Sequence, residues 1–250
     1  MTESAKAWSQ PNAVEYYAEH RHHPDDVYPS ERVFLPRVLF PGAKVLDVGC
    51  ASGGFFNIMR SIEPAIDYTG IDIAEPSINV AREKYPEARF EVTDGLTMPF
   101  ADGACDLVHC TSVLVIEPRY RALITEMYRV SNRFVLVDIR LLKDARTMEE
   151  VRKAQYRMQF AGEFEGVTVP YVICDADEVI DFTLTLTPSP QAVRGSGYFH
   201  TVSAMADTSI AEVCMAMLLI QKPQGDVANT ELDLGDLPIA FNATQARQRV

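Results

Sequence analysis

Short apolar runs alternate with amphipathic stretches through the first half of the chain. Residues 44–48 (KVLDV) form an apolar run that stops at Gly49, and apolar residues at helical spacing follow over 55–62. This order predicts a strand, a turn and a helix. Residues 67–73 predict a second strand, and Pro76 marks the first turn of a second amphipathic helix. Two consecutive βα units are therefore expected.

The same alternation continues to about residue 140. Strands are predicted over 89–93, 105–110 and 134–139, and a helix with one apolar face is predicted over 120–130. Strands that alternate with helices form a parallel sheet whose two faces are covered. The predicted fold class is therefore α/β, with one core built on a mostly parallel sheet.

The pattern is less regular after residue 142. Apolar positions between 148 and 158 predict a helix, and Asp175 could cap another helix that runs through Phe182. The glycines over 195–197 predict a hairpin or loop, and acidic residues predict a loosely ordered tail over 223–250. Further strands are expected over 183–187, 198–202 and 212–221.

The acidic charge balance limits the possible partners. The chain has 23 Lys and Arg against 35 Asp and Glu, a formal net charge of −12, and no basic cluster. Such a chain repels polyphosphates and anionic lipids, so neither a nucleic acid nor a membrane is expected as a partner. The most apolar run, 211–220, is too short to span a bilayer. No secretory signal is recognised at the start, and five irregularly spaced cysteines form no disulfide framework, so a cytoplasmic location is expected.

The turn after the first strand has the composition of a ligand-binding turn. It reads DVGCASGG over 47–54, between the predicted strand and helix. Glycines let backbone N–H groups and a helix N-terminus approach a ligand closely, because no side chain fills the space. Such turns also occur for purely structural reasons, so the turn alone leaves both interpretations open.

Acidic residues also end the next two strands. Asp72 lies where a carboxylate can accept hydrogen bonds from both hydroxyls of a ribose, although it could instead cap the following helix. Asp94, Gly95 and Leu96 could contact the amino group and ring of an adenine. Met98 and Phe100 would supply apolar cover. Ligands of open α/β sheets bind at the carboxyl ends of the strands, so these groups would face one crevice.

Four segments resemble the motifs of the class I S-adenosylmethionine-dependent methyltransferases, especially the small-molecule group that includes the ubiquinone and menaquinone biosynthesis enzymes. They are VLDVGCASGG (45–54), YTGIDIAE (68–75), FEVTDGLTMPFADGACDLV (90–108) and RVSNRFVLVDI (129–139). The resemblance covers about residues 30–140 and extends in outline to 222. It implies a Rossmann-like, doubly wound sheet of about seven strands with an antiparallel last strand, 212–221. It also implies S-adenosylmethionine as cofactor and methyl transfer to a small-molecule acceptor by in-line displacement.

The resemblance assigns cofactor contacts to particular residues and implies no metal. Asp72 would hold the ribose, and Asp47 would orient the turn or meet the methionine ammonium. The methionine part would be lined by Gly49, Ala51 and Gly53, the adenine would be flanked by Asp94 and Gly95, and the predicted set is completed by Tyr17, Ile73, Leu96 and Cys110.

The acceptor side offers fewer candidates. Methyl transfer from a sulfonium needs alignment and exclusion of water, and needs a general base only where the acceptor carries a proton. His109, at the end of the fourth strand, is the candidate catalytic contact with the acceptor; the alternative is a buried histidine on the sheet. The chain departs from the family at Ala51, often glycine, and at Val115-Ile116, where many relatives have Glu-His. Any acid–base role of that histidine is lost here.

Two segments could cover the site within a single domain over 1–222. Residues 1–40, with Tyr16 and Tyr17, would form an N-terminal lid, and residues 143–172 would form an inserted aromatic cover; core packing is the alternative in both. The nearby His20, His22 and His23 fit no zinc spacing and predict a solvated loop.

Two other functions stay open at this level. An NAD-dependent oxidoreductase is one, because Gly49, Ala51 and Gly54 satisfy a relaxed dinucleotide pattern and Asp72 could hold an NAD ribose. A non-catalytic cofactor-binding protein of the same fold is the other. The Asp94-Gly95 pair favours the methyl donor. The sequence does not distinguish whether oxygen, nitrogen, carbon or sulfur is methylated.

Overall fold

In the part of the chain that the structure describes, the central sheet contains nine strands. The computed structural model describes residues 3–143, 155–160, 163–225 and 229–241. The first five strands are β1 (Lys44–Val48), β2 (Asp67–Asp72), β3 (Arg89–Val92), β4 (Cys105–Cys110) and β5 (Ser131–Leu142). A separate three-stranded sheet contains β6 (Gln155–Phe160), β7 (Glu163–Pro170) and β10 (Ala206–Asp207). The central sheet is completed by β8 (Cys174–Asp175), β9 (Ala192–Thr201), β11 (Glu212–Gln221) and β12 (Glu231–Asp236).

Seven helices of the described residues accompany these strands. They are α1 (Glu3–Trp8), α2 (Pro11–Glu19), α3 (Pro29–Val38), α4 (Gly54–Ile62), α5 (Glu75–Lys84), α6 (Tyr120–Val130) and α7 (Ala176–Leu184). A 3-10 turn, Pro24–Asp26, lies between α2 and α3.

The strand order is β12-β9-β11-β5-β4-β1-β2-β3, with β8 beside β5. Strands β1 to β5 are mutually parallel, and β11 is antiparallel to both β5 and β9. The predicted α/β class, the mostly parallel sheet and the antiparallel strand 212–221 are thereby confirmed. The order reverses between β1 and β4, so the crevice of a doubly wound sheet lies at their carboxyl ends.

The sheet buries apolar residues on both faces, as alternation along β5 illustrates. Leu136 belongs to one buried cluster with Ile58 of α4, and Val137 belongs to the other with Ile124 of α6. All four side chains are fully buried. Burial of each contributes about 1.5 to 3 kcal/mol, so helices on both faces are held to the sheet.

The helix predicted between 148 and 158 is wrong where it can be compared. Residues 155–160 form β6, which pairs with β7 and β10, and the rest of the predicted helix lies outside the described residues. Pairing with β7 and β10 overrides the helical spacing of the apolar residues, because strand preference depends on cross-strand packing.

The strand predicted over 183–187 is also wrong. Asp175 caps α7 as expected, because its side chain accepts a 3.0 Å hydrogen bond from the N–H of Glu178, and the helix continues to Leu184. Inside the last turn, the hydroxyl of Thr183 donates to the carbonyl of Ile180 at 2.7 Å. This bond gives the Thr183 hydroxyl an acceptor inside the helix, which offsets the preference of a β-branched residue for strands.

The glycines over 195–197 lie inside β9 and form no loop. A Cβ on Gly195 would lie 2.6 Å from Leu237, and one on Gly197 would lie 2.9 Å from the carbonyl oxygen of Met215. Glycine is therefore required for close packing. The expectation of a loose tail does not hold for 231–236, which pair with β9 in parallel as β12.

The first two helices pack against the small sheet near the crevice. Ala7 of α1, Ala13 of α2 and Val169 of β7 form a small buried cluster, with Trp8 and Tyr17 packed against it. In the described part of the chain, no helix combines the length and the apolar character that a membrane crossing needs. All five cysteines lie within the described residues, are buried and form no disulfide bond.

Candidate functional site

The turn between β1 and α4 has left-handed backbone at three positions. Gly49 has φ +76°, Ala51 +46° and Gly53 +79°. Glycine adopts this region freely, whereas alanine costs roughly 1 to 2 kcal/mol, so the departure at Ala51 is strained. The N–H groups of Gly49 and Cys50 both donate to the carbonyl of Ile71, at 2.8 and 3.0 Å. These bonds hold the turn against the end of β2.

Close approach also requires glycine on both sides of the turn. A Cβ on Gly49 would collide with the side chain of Val113, which follows β4. A Cβ on Gly54 would collide with the backbone carbonyl of Arg21. The turn is therefore enclosed by the segment after β4 and by the loop that precedes α3.

Asp72 connects this turn to the helix after β2. Its Oδ2 accepts a 2.9 Å hydrogen bond from the N–H of Ala51, and its Oδ1 accepts one of 2.8 Å from the N–H of Ala74. Ala74, and not Asp72, is the N-cap residue of α5. Burial raises the pKa of Asp72, although the two backbone N–H groups act in the opposite direction. Each carboxylate oxygen retains one lone pair for a further donor.

A single cleft opens at the carboxyl ends of β1, β2 and β4. It contains about 1140 Å³ of empty space, the part open to solvent included. Gly49, Ala51 and Asp72 lie at its centre, and residues of α1, α2 and the loop after α2 form one wall. That wall contains Ser4, Trp8, Tyr17, His20 and Arg21.

One end of the cleft is lined by the residues predicted for the nucleoside. Ile73, Asp94 and Gly95 line it, and Leu123 of α6 supplies an apolar surface that the sequence did not indicate. Asp94 accepts a 3.0 Å hydrogen bond from the N–H of Leu96, so its carboxylate is anchored within its own loop.

Five of the predicted residues do not line this cleft. Asp47 is buried on β1, Gly53 lies against the ring of Phe90, and the remaining three are Leu96, Cys110 and His109. Leu96 and Cys110 are next in sequence to the lining residues Gly95 and Thr111. Their side chains pack with the hydrophobic core instead.

Asp47, Tyr68 and His109 form a buried network across three adjacent strands. The Tyr68 hydroxyl donates to Asp47 Oδ2 at 2.5 Å, and His109 Nδ1 lies 2.7 Å from Asp47 Oδ1. Burial, and then the Asp47 carboxylate, raise the pKa of Tyr68 well above its usual range. The network therefore leaves Asp47 no free oxygen surface toward the cleft.

His109, the candidate for contact with the acceptor, does not line the cleft. The side chain is wholly buried, and the ring of Phe55 covers it with a centroid distance of 4.7 Å. Its Nε2 has no hydrogen-bond partner among the described residues. Phe55 lines the cleft and His109 does not, so the histidine lies one side chain beneath the surface that a ligand would touch.

Arg21 is a cleft residue that the sequence analysis missed. Its backbone has φ +60°, its Nη2 donates to Glu31 at 2.6 Å, and its guanidinium lies 4.0 Å above the ring of Tyr28. Nη1 is buried and has no partner in the described structure. Burial lowers the pKa of Arg21, but the paired Glu31 more than offsets this and the pKa is raised. The surrounding HRHHPDD sequence gave no signal, because it reads as an ordinary polar loop.

The three neighbouring histidines do not form a metal site. His20 stacks on Tyr16 at 4.1 Å, and the backbone N–H groups of His22 and His23 both donate to Asp26. No cluster of three or more His, Cys, Asp or Glu side chains suited to a metal ion occurs in residues 3–143, 155–160, 163–225 and 229–241.

Comparisons with known proteins agree with this geometry. Residues 45–133 match a family model described as a methyltransferase domain. The chain is 31% identical over 112 residues to a trans-aconitate 2-methyltransferase of Variovorax paradoxus, covering 44% of this chain and 43% of that protein. It is 31% identical over 91 residues to a demethylmenaquinone methyltransferase of Thermus thermophilus, covering 35% and 41%. The alignments thus span less than half the length of these curated relatives.

The fold is also similar to that of a solved structure of an S-adenosylmethionine-dependent methyltransferase from Methanosarcina mazei. The TM-score is 0.54 at 18% identity, and the match covers 78% of this chain and 98% of that one. Residues 45–133 are thus similar in sequence to a methyltransferase domain, and the chain shares the Rossmann-like α/β fold of that solved structure.

Proposed function

We propose that this protein is an S-adenosylmethionine-dependent methyltransferase that acts on a small molecule. The observation that carries the proposal is the joint placement of Asp72 and the glycine turn in one cleft. Asp72 ends β2, holds the turn through Ala51, and has acceptor capacity left for two hydroxyl donors. The reported matches are all to methyltransferases, so the oxidoreductase alternative gains no support.

The cleft residues fit the parts of this cofactor. Asp72 would accept from the ribose hydroxyls, and Ile73, Gly95 and Leu123 would enclose the adenine. Gly49 lets Val113 pack directly against the turn, because Val113 occupies the space of the missing Cβ, and both residues line the cleft where the methionine chain would lie. The residues present therefore suit a nucleoside with a short polar chain.

Arg21 fits the amino-acid end of that chain. Its carbonyl lies against Gly54, the first residue of α4, and its guanidinium lies 5.1 Å from the ring of Phe55. A carboxylate placed here would meet the unpaired Nη1 and the positive end of the helix together. We therefore assign Arg21 to the methionine carboxylate.

The protein's part in the reaction is alignment and exclusion of water. The bound cofactor supplies an electrophilic methyl group on a sulfonium. Asp72 and Arg21 would fix the two ends of the cofactor, and the lining residues Phe55 and Ser112 would border the space left for the acceptor. Trp8 and Tyr17 would close the outer wall, which keeps water from competing with the acceptor.

Several predictions remain part of the proposal. Residues 1–40 would act as a lid, since α1 and α2 line the cleft, and 143–172 would act as a cover through β6 and β7. The acidic composition favours a small-molecule acceptor over a nucleic acid. A cytoplasmic location stays a prediction from sequence.

The proposal is tested by methyl transfer from labelled cofactor. The full chain is incubated with S-adenosylmethionine labelled in the methyl group and with a small-molecule extract, and S-adenosylhomocysteine is quantified with labelled product. The proposal predicts equal amounts of both, dependent on extract and lost in Asp72→Ala. A folded protein that binds the cofactor and never forms S-adenosylhomocysteine would instead support the non-catalytic alternative.

A further inference from the structure

A charged region lies beside the cleft, at the carboxyl end of β5. Phe134, Leu136, Asp138 and Arg140 share one face of this strand, because side chains alternate. The first two belong to the buried apolar core, whereas Asp138 and Arg140 are charged and also buried. The sheet face therefore changes from apolar to ionic where β5 extends past the end of β4.

Arg140 has unused donors in this region. Its Nη1 donates to Asp138 Oδ2 at 2.7 Å, and this is its one hydrogen bond within the described residues. The side chain is 9% exposed. A guanidinium carries five N–H donors, so most of those on Arg140 have no protein partner in the described residues. None of its nitrogens is a buried atom without a partner, so the unpaired donors keep some accessible surface. Burial lowers the pKa of Arg140, but Asp138 more than offsets this and the pKa is raised.

The carboxylates nearby already have partners on both oxygens. Asp138 Oδ1 accepts a 2.7 Å bond from the N–H of Ser112, and its Oδ2 is bound by Arg140. Glu31 accepts from Arg21 with one oxygen and from the N–H of Tyr28 with the other, at 2.6 and 2.7 Å. The unpaired groups of this region are therefore guanidinium donors, which suit a ligand that offers acceptor oxygens.

Asp138 and Ser112 link Arg140 to the cleft by hydrogen bonds. Ser112, which binds Asp138, itself lines the cleft next to the turn. Met215 and Tyr198 follow Arg140 in register across β11 and β9, so their side chains share its face of the sheet. An acceptor whose body rests on Tyr198 could place its polar group between Arg140 and the cofactor.

In the described part of the chain, the carboxylates of the cleft already have partners, and its one lining imidazole, His20, belongs to the wall formed by α1, α2 and the loop after α2. Asp72 and Asp94 are bound to backbone N–H groups, and Glu117 is paired with Arg119 at 2.8 Å, at the nucleoside end. Burial raises the pKa of Tyr198, which makes its phenol a poor base at neutral pH. An acceptor that is already ionised at neutral pH requires no base.

We propose that the acceptor is a carboxylic acid with an apolar or aromatic body, held by Arg140 as its carboxylate. In the transfer step, one carboxylate oxygen donates a lone pair to the methyl carbon, and the carbon–sulfur bond breaks with its electron pair on sulfur. The products are a neutral methyl ester and S-adenosylhomocysteine, and no proton moves. Opposite charges of carboxylate and sulfonium cancel in the reaction, which favours this pairing in a poorly solvated cleft.

This inference rests on the proposed function and narrows its substrate class. Benzoate, cinnamate and octanoate are supplied with S-adenosylmethionine to the full chain, each beside its matched alcohol, amide and amine. The inference predicts methyl esters, recognised by methanol release in alkali, from acids alone. Methylation of the alcohol or amine in place of the acid overturns the inference and leaves the proposed function standing.

Variants of Arg140 test whether this residue binds the acid. Arg140→Lys keeps the ion pair with Asp138 but loses the planar fork, so KM for the acid should rise at least tenfold without a change in S-adenosylhomocysteine affinity. The double variant Asp138→Asn with Arg140→Gln removes both charges together and should abolish acid binding. Arg133→Gln, at the other end of β5, is the matched control. An unchanged KM in Arg140→Lys contradicts the assignment.

An equilibrium measurement covers the case in which no probe acid is methylated. The same acids are titrated into protein saturated with S-adenosylhomocysteine. Binding that Arg140→Lys weakens supports the inference. If none of the acids binds while S-adenosylhomocysteine does, the inference is overturned and the cofactor site stands. If S-adenosylhomocysteine itself does not bind, the proposed function fails, and the inference fails with it.

Discussion

Asp72 accepts a 2.9 Å hydrogen bond from the backbone N–H of Ala51, the residue with strained left-handed backbone in the turn after β1. This bond joins the ends of two neighbouring strands at the centre of the cleft. Asp72 therefore shapes the turn in addition to offering acceptors to a ligand. A cap of the following helix would be a simpler role, but Ala74 occupies the N-cap position.

Asp72→Asn should weaken S-adenosylhomocysteine binding at least tenfold. An amide has a single acceptor oxygen, so either the Ala51 or the Ala74 bond is lost, and one ribose hydroxyl loses a charged partner. Hydrogen bonds to charged groups contribute about 1.5 to 3 kcal/mol each. Titration calorimetry measures the affinity directly.

The control for Asp72 is Asp67→Asn at the other end of β2. Asp67 is exposed and pairs with Arg89 on the surface at 2.5 Å, so its loss should leave the affinity unchanged. If Asp72→Asn binds as tightly as the unmodified protein, Asp72 does not contact the ribose.

Cofactor affinity should fall as the pH is lowered, beginning at a higher pH than for an ordinary aspartate. Burial raises the pKa of Asp72, so its proton is taken up sooner on acidification. The protonated carboxyl has fewer acceptor sites for ribose hydroxyls, and binding weakens as the pH falls through that pKa. Calorimetry over a pH series should show this loss in the unmodified protein. A flat profile in Asp72→Asn would identify the titrating group, and an identical profile in both proteins would exclude it.

Gly49→Ala should reduce cofactor affinity tenfold or more. The new Cβ would collide with Val113, and alanine is unfavourable at φ +76°, so the turn must shift. Gly42→Ala is the matched control, because Gly42 has φ +79° with open space around its Cβ position. It should lose roughly 1 to 2 kcal/mol of stability without a change in affinity. Equal affinity in both variants would argue against a ligand at this turn.

His109→Ala should lower stability and leave cofactor affinity unchanged. It removes a fully buried ring and one partner of the buried Asp47, which costs roughly 2 to 4 kcal/mol. Thermal unfolding should shift by about 2 to 4 °C for each kcal/mol. His200→Ala, on an exposed part of β9, should change stability little. A stable His109→Ala protein with defective methyl transfer would restore the catalytic assignment.

The βα units over 44–139 were predictable because their signals are local. The apolar run of β1, the turn glycines and the apolar face of α4 occur next to one another in sequence, and the structure has the same elements. Asp72 was predictable for the same reason, as an acid at the end of a strand. Its bond to Ala51 was not, because this bond joins separate turns.

The rest of the fold and of the site depends on contacts between segments that are far apart in sequence. Gly195 lies in a strand because Leu237 occupies the space of its side chain, and this neighbour is far away in sequence. Arg21 reaches the cleft only because the loop after α2 folds over Gly54. Arg140 did leave a signal, since Asp138 and Arg140 interrupt the apolar face of β5 at alternate positions.

The central claim is that the cleft binds S-adenosylmethionine. It is tested most directly by titrating S-adenosylhomocysteine into the full chain by calorimetry, with NADH titrated in parallel. The account predicts saturable binding of one S-adenosylhomocysteine per chain, weakened in Asp72→Asn and in Gly49→Ala, and no heat from NADH. A folded protein that gives no heat with S-adenosylhomocysteine, or that binds NADH in its place, would contradict the account.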